Sequence, residues 1–278
     1  MSQPTLSIVI PSYNSADFIE ETMTSVLAQE GVDMEVIVAD HTSSDGTWER
    51  LAPFTRDPRV TLVRTEAGGG AERNFNRVSE LATGRYVKLV CGDDVLLPGV
   101  LARQVSLLEA HREASVVACQ RDLVDARGKT VFKAWGLRGL DDVMPGREAI
   151  RTAVLRGSNV FGEPACTMMR REDLVAHGYW DFRNPYMVDL ATYVNVLMSG
   201  DFVADREVGA KFRLNGGQWS VALAKKQSTQ VMAFHEWLLA EHPEIVTPSD
   251  VRRGNLQARS MAWKRRVLYM LLGKRMSS

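Results

Sequence analysis

Gly92, Asp93 and Asp94 end an apolar run, Lys88-Leu89-Val90-Cys91, with two adjacent carboxylates. Side-by-side carboxylates repel each other, and a divalent cation bridging them to a phosphate relieves that cost. Asp and Gly are also common turn residues, so the triplet alone is equally compatible with a solvated turn. Further polar residues with chemical potential are concentrated in three short stretches, 11–14, 40–45 and 68–74. An acidic residue such as Asp40 can accept a hydrogen bond from a nucleobase ring N–H, while the later aspartates meet a metal-bound diphosphate.

Each of these stretches follows an apolar run of strand length: 6–10, 35–39, 60–64 and 86–90. Helical spacing of Ile19, Met23, Val26 and Leu27 predicts a helix over about 16–29. Further helices are expected over 47–54, around Ala71 to Val78, and over 98–111, where Leu101, Val105 and Leu108 point inward. Strands alternating with helices predict a mostly parallel sheet with right-handed crossovers and a ligand at the strands' carboxyl ends. A further strand is expected at 115–119, and residues 129–138 read as a hairpin or loop over the site. Trp135 in that hairpin could contact a sugar or anchor the loop. No G-x-G-x-x-G follows the first strand and no P-loop motif occurs, which argues against dinucleotide dehydrogenases and P-loop enzymes.

The 278 residues suffice for one α/β domain and a smaller appendage, and 34 basic against 34 acidic residues give no reason to expect a nucleic-acid partner. Cys91, Cys119 and Cys166 are odd in number and far apart, which fits a reducing compartment rather than a disulfide framework. The first residues show no secretory-signal pattern, and no run of about 18 apolar residues occurs. The expected location is cytoplasmic.

The ordered set Ser7-Ile8-Val9-Ile10-Pro11-Ser12-Tyr13-Asn14, Val36-Ile37-Val38-Ala39-Asp40, Ser43-Ser44-Asp45-Gly46-Thr47, Ala82-Thr83-Gly84-Arg85-Tyr86-Val87-Lys88-Leu89, Gly92-Asp93-Asp94 and Leu97-Pro98-Gly99 resembles the family 2 glycosyltransferases of GT-A fold. The resemblance covers roughly the first 215 residues. It implies a Rossmann-like, mostly parallel sheet flanked by helices, with a GT-A catalytic domain over 1–215. The nucleotide-binding half would cover about 1–120, the acceptor half about 121–215, and a lid with a basic helical extension 216–278. It further implies that Pro11, Tyr13, Asn14, Asp40, Arg73 and Asp94 bind the donor and that Asp93 holds Mn²⁺ or Mg²⁺. Cys91 stands where many members carry the first Asp of D-x-D, and His41 replaces a common second acid.

On the acceptor side, the resemblance points to Glu163 and Trp180. Glu163, between Gly162 and Pro164, could instead pin a turn. Asp189 matches the family's catalytic base at the start of a helix, with Val188 in place of the usual preceding acid. A helix-capping role is compatible with that position too. Arg213 is a candidate diphosphate contact, and 216–220 a candidate lid. The implied reaction is metal-assisted, inverting transfer of a sugar from a nucleotide-diphosphate donor, UDP-linked by expectation, to a glycan or lipid-linked acceptor in cell-surface polysaccharide assembly. Cys91 and Val188 also motivate a non-catalytic nucleotide-sugar binding scaffold. A sugar nucleotidyltransferase would need a glycine-rich loop after the first strand, and 11–14 is not one. Beyond a predicted helix at 221–240, residues 251–275 interleave basic and apolar side chains without an acid. That pattern suits either peripheral contact with a membrane or a helix packed on the domain with a solvated basic face. A homo-oligomer is compatible with the sequence, which does not set the oligomeric state.

Overall fold

A computed structural model describes residues 3–216, 223 and 226–275. Strand β1 (Leu6–Ser12) is buried along its whole length and lies between β2 (Met34–Asp40) and β4 (Tyr86–Leu89), parallel to both. Strand β3 (Val60–Arg64) extends this parallel block beyond β2. Both sheet faces are covered. Ile8 and Ile10 pack with α1 (Ile19–Leu27) and α4 (Val100–Ala110), whereas Val9 points to the opposite core. That alternation is the pleat of a strand buried on both sides.

The second half of the sheet is built out of sequence order. Strand β6 (Ala114–Asp125) pairs in parallel with β10 (Asp201–Leu214), and β9 (Thr167–Arg170) lies antiparallel between β4 and β6. Short strands β5 (Val95–Leu96) and β8 (Val143–Met144) pair with β10, and β7 (Thr130–Trp135) forms the expected hairpin with β6. The strand order β3-β2-β1-β4-β9-β6-β10-β5 gives a mixed, mostly parallel sheet. Residue 120 falls inside β6.

Helices α2 (Thr47–Leu51), α3 (Gly70–Glu80), α5 (Gly146–Arg156), α6 (Arg171–Ala176) and α7 (Val188–Leu197) complete the body. The helix expected over 47–54 ends as α-helix at Leu51 and continues as a 3₁₀ segment, Ala52–Arg56, containing Pro53, which has no N–H to donate to the α-helical ladder. The strand expected at 115–119 runs on to Asp125, because its continuation pairs with both β7 and β10.

Two helices follow β10. Helix α8 (Gln227–Glu241) covers part of the helix expected at 221–240, while 217–222 lie outside the described residues together with most of the candidate lid. Helix α9 (Pro248–Leu272) opens with a reciprocal cap: the Asp250 N–H donates to Thr247 Oγ1 at 3.2 Å and the Thr247 N–H to Asp250 Oδ2 at 3.1 Å. It packs on α8 and α5, where Gly157 and Gly254 let the backbones meet. A Cβ on Gly254 would stand 2.3 Å from the Val154 carbonyl oxygen. Among the described residues, no helix is long and apolar enough to cross a membrane.

Candidate active site

The carboxyl ends of β1 and β2 form one wall. Asp40, the last residue of β2, has no exposed surface. Its Oδ2 accepts the Ser43 N–H at 3.2 Å and lies 3.7 Å from Arg64 Nε, while Oδ1 is buried with no hydrogen-bond partner. A buried, unpartnered carboxylate oxygen is costly unless a ligand donor reaches it. Asn14 ties the two loops together, donating its N–H to Ser43 Oγ at 2.9 Å and accepting the Ser44 N–H at 3.0 Å on Oδ1. Asn74 holds the strand ends from α3, donating to the Ser12 and Ala39 carbonyls at 3.3 and 3.1 Å. Tyr13 is 61% exposed and meets His41 edge to face, with ring centroids 6.1 Å apart. Tyr13, Asn14 and Asp40 therefore share this corner.

Pro11 does not reach its surface. It is buried within β1, and the β1–β4 ladder stops at Val9, so its missing N–H costs no strand pairing there. Arg73 lies on α3 behind a run of three glycines with positive φ, half-exposed and 3.8 Å from Glu66.

Asp93 and Asp94 separate in role. Asp93 remains partly exposed, and its Oδ2 accepts from Asn215 Nδ2 at 2.9 Å. Asp94 turns inward with no exposed surface, so the expected donor contact has no side-chain surface in this conformation. Its Oδ1 accepts the Arg213 N–H at 3.3 Å. Burial first, then the charges of Asp93 and Glu163, hold the Asp94 pKa well above the ordinary carboxylate range. Arg213 is likewise internal: it donates to the Asp93 carbonyl at 3.0 Å, the Ala126 carbonyl at 3.1 Å and Glu21 at 2.6 Å. It buttresses the aspartate loop against β10 and α1.

The opposite wall centres on Asp189, in the first turn of α7 and partly buried. Burial, then the Glu163 charge, pushes its pKa up to about 7, against a smaller opposing pull from Arg121. Glu163 forms an ion pair with Arg121, with Nε to Oε2 at 2.5 Å and Nη2 to Oε1 at 3.0 Å. Burial raises the Cys91 thiol well above its usual pKa, and the charges of Asp94, Asp93, Asp189 and Glu163 add to that rise. Charges from both walls therefore act on Cys91. Arg265 of α9 lies 5.6 Å from the centre of the Tyr186 ring, and the charges of Glu163 and Arg121 act on it.

Trp180, expected to contact the acceptor, turns its ring into the core. It is 4% exposed, donates its indole N–H to Ser79 Oγ at 2.9 Å and packs edge-on against Phe75 and Tyr193. A glycine-aromatic turn looks the same in sequence whether the ring faces a sugar or the core. Trp135 is 45% exposed on β7, and its carbonyl accepts from Arg121 at 3.2 Å. In the sequence, Arg121 carries no functional mark and Arg265 none beyond its place in the basic segment 251–275. Arg121 sits in an unremarkable strand, and Arg265 is one of several basic residues on a long helix.

Among the described residues, no group of three or more His, Cys, Asp or Glu is arranged to hold a metal ion. Mg²⁺ and Mn²⁺ need no such cage, because one carboxylate with ligand phosphates and waters can suffice. Asp93, partly exposed, is suited to that role; Asp94, with no exposed surface, is not.

Residues 7–178, more than half of the chain, match the family model Glycosyl transferase family 2. The chain belongs to that family. It is 36% identical over 107 residues to a putative teichuronic acid biosynthesis glycosyltransferase of Bacillus subtilis, a match covering 38% of this chain and 42% of the relative. It is also 33% identical over 103 residues to an Escherichia coli UDP-Glc:α-D-GlcNAc-diphosphoundecaprenol β-1,3-glucosyltransferase, covering 37% and 40% of the two chains. These curated matches span about half of the relatives' length or less. In three dimensions the chain superposes with TM-score 0.63 on the Pyrobaculum calidifontis mannosyltransferase PcManGT, solved with GDP-Man and Mn²⁺, over 97% of this chain and 81% of that one at 17% identity. That likeness establishes the GT-A fold.

Proposed function

We propose that the protein transfers a sugar from a nucleoside-diphosphate donor, UDP-linked, to a hydroxyl of a glycan or lipid-linked acceptor in cell-surface polysaccharide assembly. The observation that carries this reading is Asp189: a carboxyl tuned by burial to about pH 7, whose charge acts on Cys91 together with that of Asp93 at the carboxyl end of the parallel strands. A base poised near neutrality can accept a hydroxyl proton at working pH. The acceptor oxygen bonds to the anomeric carbon, its proton passes to the Asp189 carboxylate, and the anomeric carbon–oxygen bond breaks with its electron pair leaving on the diphosphate. Glu163, the carboxylate whose charge acts most on Asp189, is engaged by Arg121 and is not proposed as a second nucleophile. With one base and no carboxylate assigned as nucleophile, the displacement inverts the anomeric centre.

Asp40, with its buried unpartnered Oδ1, receives a base N–H, and Tyr13 and Asn14 flank it. Arg73 extends the donor side from α3. A divalent cation held by Asp93 would neutralise charge on the departing diphosphate. Support for the donor class and setting comes from the relatives, one of which is a glucosyltransferase using UDP-Glc and a lipid-diphosphate acceptor. The exposed face of α9 is assigned to an anionic membrane surface, since Leu256, Trp263, Met270 and Leu271 are exposed there among Arg252, Arg253, Arg259, Lys264 and Arg266.

Calorimetric titration with UDP, GDP and dTDP, each with and without Mn²⁺, tests the donor site. Binding of one nucleotide that depends on the ion and is lost in Asp93→Ala is expected. Binding indifferent to both would move the scaffold reading forward.

A further inference from the structure

Helix α9 has two faces with different neighbours. At about 100° per residue, Arg265 lies roughly half a turn away from the exposed stripe of Leu256, Trp263 and Met270. It shares the inward face with Gly254, Ala258 and Ala262, all buried. The helix therefore sends one arginine inward while its other basic residues face outward.

That inward guanidinium is poorly provided for. Among the described residues, Arg265 makes one hydrogen bond, from Nη1 to Gln227 Oε1 at 3.2 Å, and stacks near the Tyr186 ring. No carboxylate lies within ion-pair distance of it among those residues, although Glu163 is close enough to act on it and is itself paired to Arg121. Five N–H donors in a planar fork, one spent on a neutral amide, describe a receptor for an anion with several oxygens. Burial lowers the Arg265 pKa and the Arg121 charge adds a little to that, while Tyr269 and Glu163 pull it the other way. Tyr186 belongs to the 3₁₀ turn Pro185–Met187, directly before the helix that carries Asp189. Arg265 therefore borders the turn that leads into the helix carrying the proposed base.

We propose that Arg265 binds a phosphate group of the acceptor, making it a specificity residue for phosphate-linked acceptors delivered by the C-terminal helix. This rests on the proposed reading of Asp189 as the acceptor-side base. Gln227 orients the fork from α8 and Tyr186 lies against it, so three separate segments meet at this guanidinium. The donor's own diphosphate is the competing source of the same anion chemistry.

The test is calorimetric titration of the full chain with geranyl diphosphate and, in parallel, geraniol, both alone and with a saturating nucleoside diphosphate. Wild-type protein is expected to bind geranyl diphosphate saturably in both conditions. Arg265→Gln should weaken that binding about tenfold or more, as loss of a charge-assisted hydrogen bond does, while geraniol is unaffected. Arg265→Lys should retain part of the affinity, through its point charge without the fork. Four results would each overturn the inference: no saturable wild-type binding, equal binding by Arg265→Gln, equal losses for diphosphate and alcohol, or a loss confined to the nucleoside diphosphate. Failure of wild-type protein to bind any nucleotide would count against the donor reading alone, because the geranyl arm is read without nucleotide as well.

Discussion

Asp189 makes stability and activity oppose each other. Its folded pKa of about 7 lies above the 3.8 of a free carboxyl, so between those values the folded state holds a proton that the unfolded chain has lost. Asp189 therefore favours folding less and less as pH rises from about 4 to about 7. The Asp189→Asn variant should melt at a higher temperature than wild type at pH 8, with the difference gone near pH 4. Its transfer rate should fall on the order of 10²- to 10⁴-fold, as expected for loss of a general base. The wild-type rate should climb along an acid limb with an apparent pKa near 7 that Asp189→Asn lacks. Melting curves and pH–rate profiles check the two halves separately; a variant no more stable than wild type at pH 8 would count against the burial argument. Single residues were unevenly legible in the sequence. Asp40, Asp93 and Asp189 follow apolar runs or open a helix, which makes them visible. Trp180 and Asp94 follow similar patterns but turn inward, and the direction of a side chain at a turn is decided by packing from distant elements.

At the scale of elements, the parallel block β1 to β4 was legible because each strand is a continuous apolar run punctuated by polar turn residues. The position of β9 was not, since a four-residue strand between β4 and β6 is fixed by partners far away in sequence. The seating of α9 was equally hidden, because it depends on the absence of side chains at Gly157 and Gly254. Gly254→Ala should disturb that seat, and overpacking of this kind costs about 1–3 kcal/mol. Limited proteolysis should then cut within 242–275 sooner than in wild type, and geranyl diphosphate binding should weaken together with it. Unchanged proteolysis and binding would show that the contact yields more easily than its 2.3 Å approach implies.

The whole molecule carries balanced formal charge, yet residues 251–275 contain no acid. Sedimentation with phosphatidylglycerol-containing vesicles should capture the protein at low salt and release it progressively as salt screens the attraction. Replacing Trp263 and Met270 by serine should weaken capture without altering nucleotide binding. Equal sedimentation with purely zwitterionic vesicles would remove the electrostatic part of the assignment. Global composition gave no hint of this asymmetry, because the excess of basic residues on one helix is balanced elsewhere.

The insertion of β9 also bears on how the chain is made. A ribosome that has released residues up to Asp125 has completed both neighbours of that strand, β4 and β6, but not the strand that joins them. The facing edges of β4 and β6 must wait for about forty more residues before they close, and open edges of this kind invite pairing with other chains. Nascent chains stalled between residues 125 and 165 should accordingly be the most demanding of chaperones, and genetic truncations in that window should yield insoluble protein.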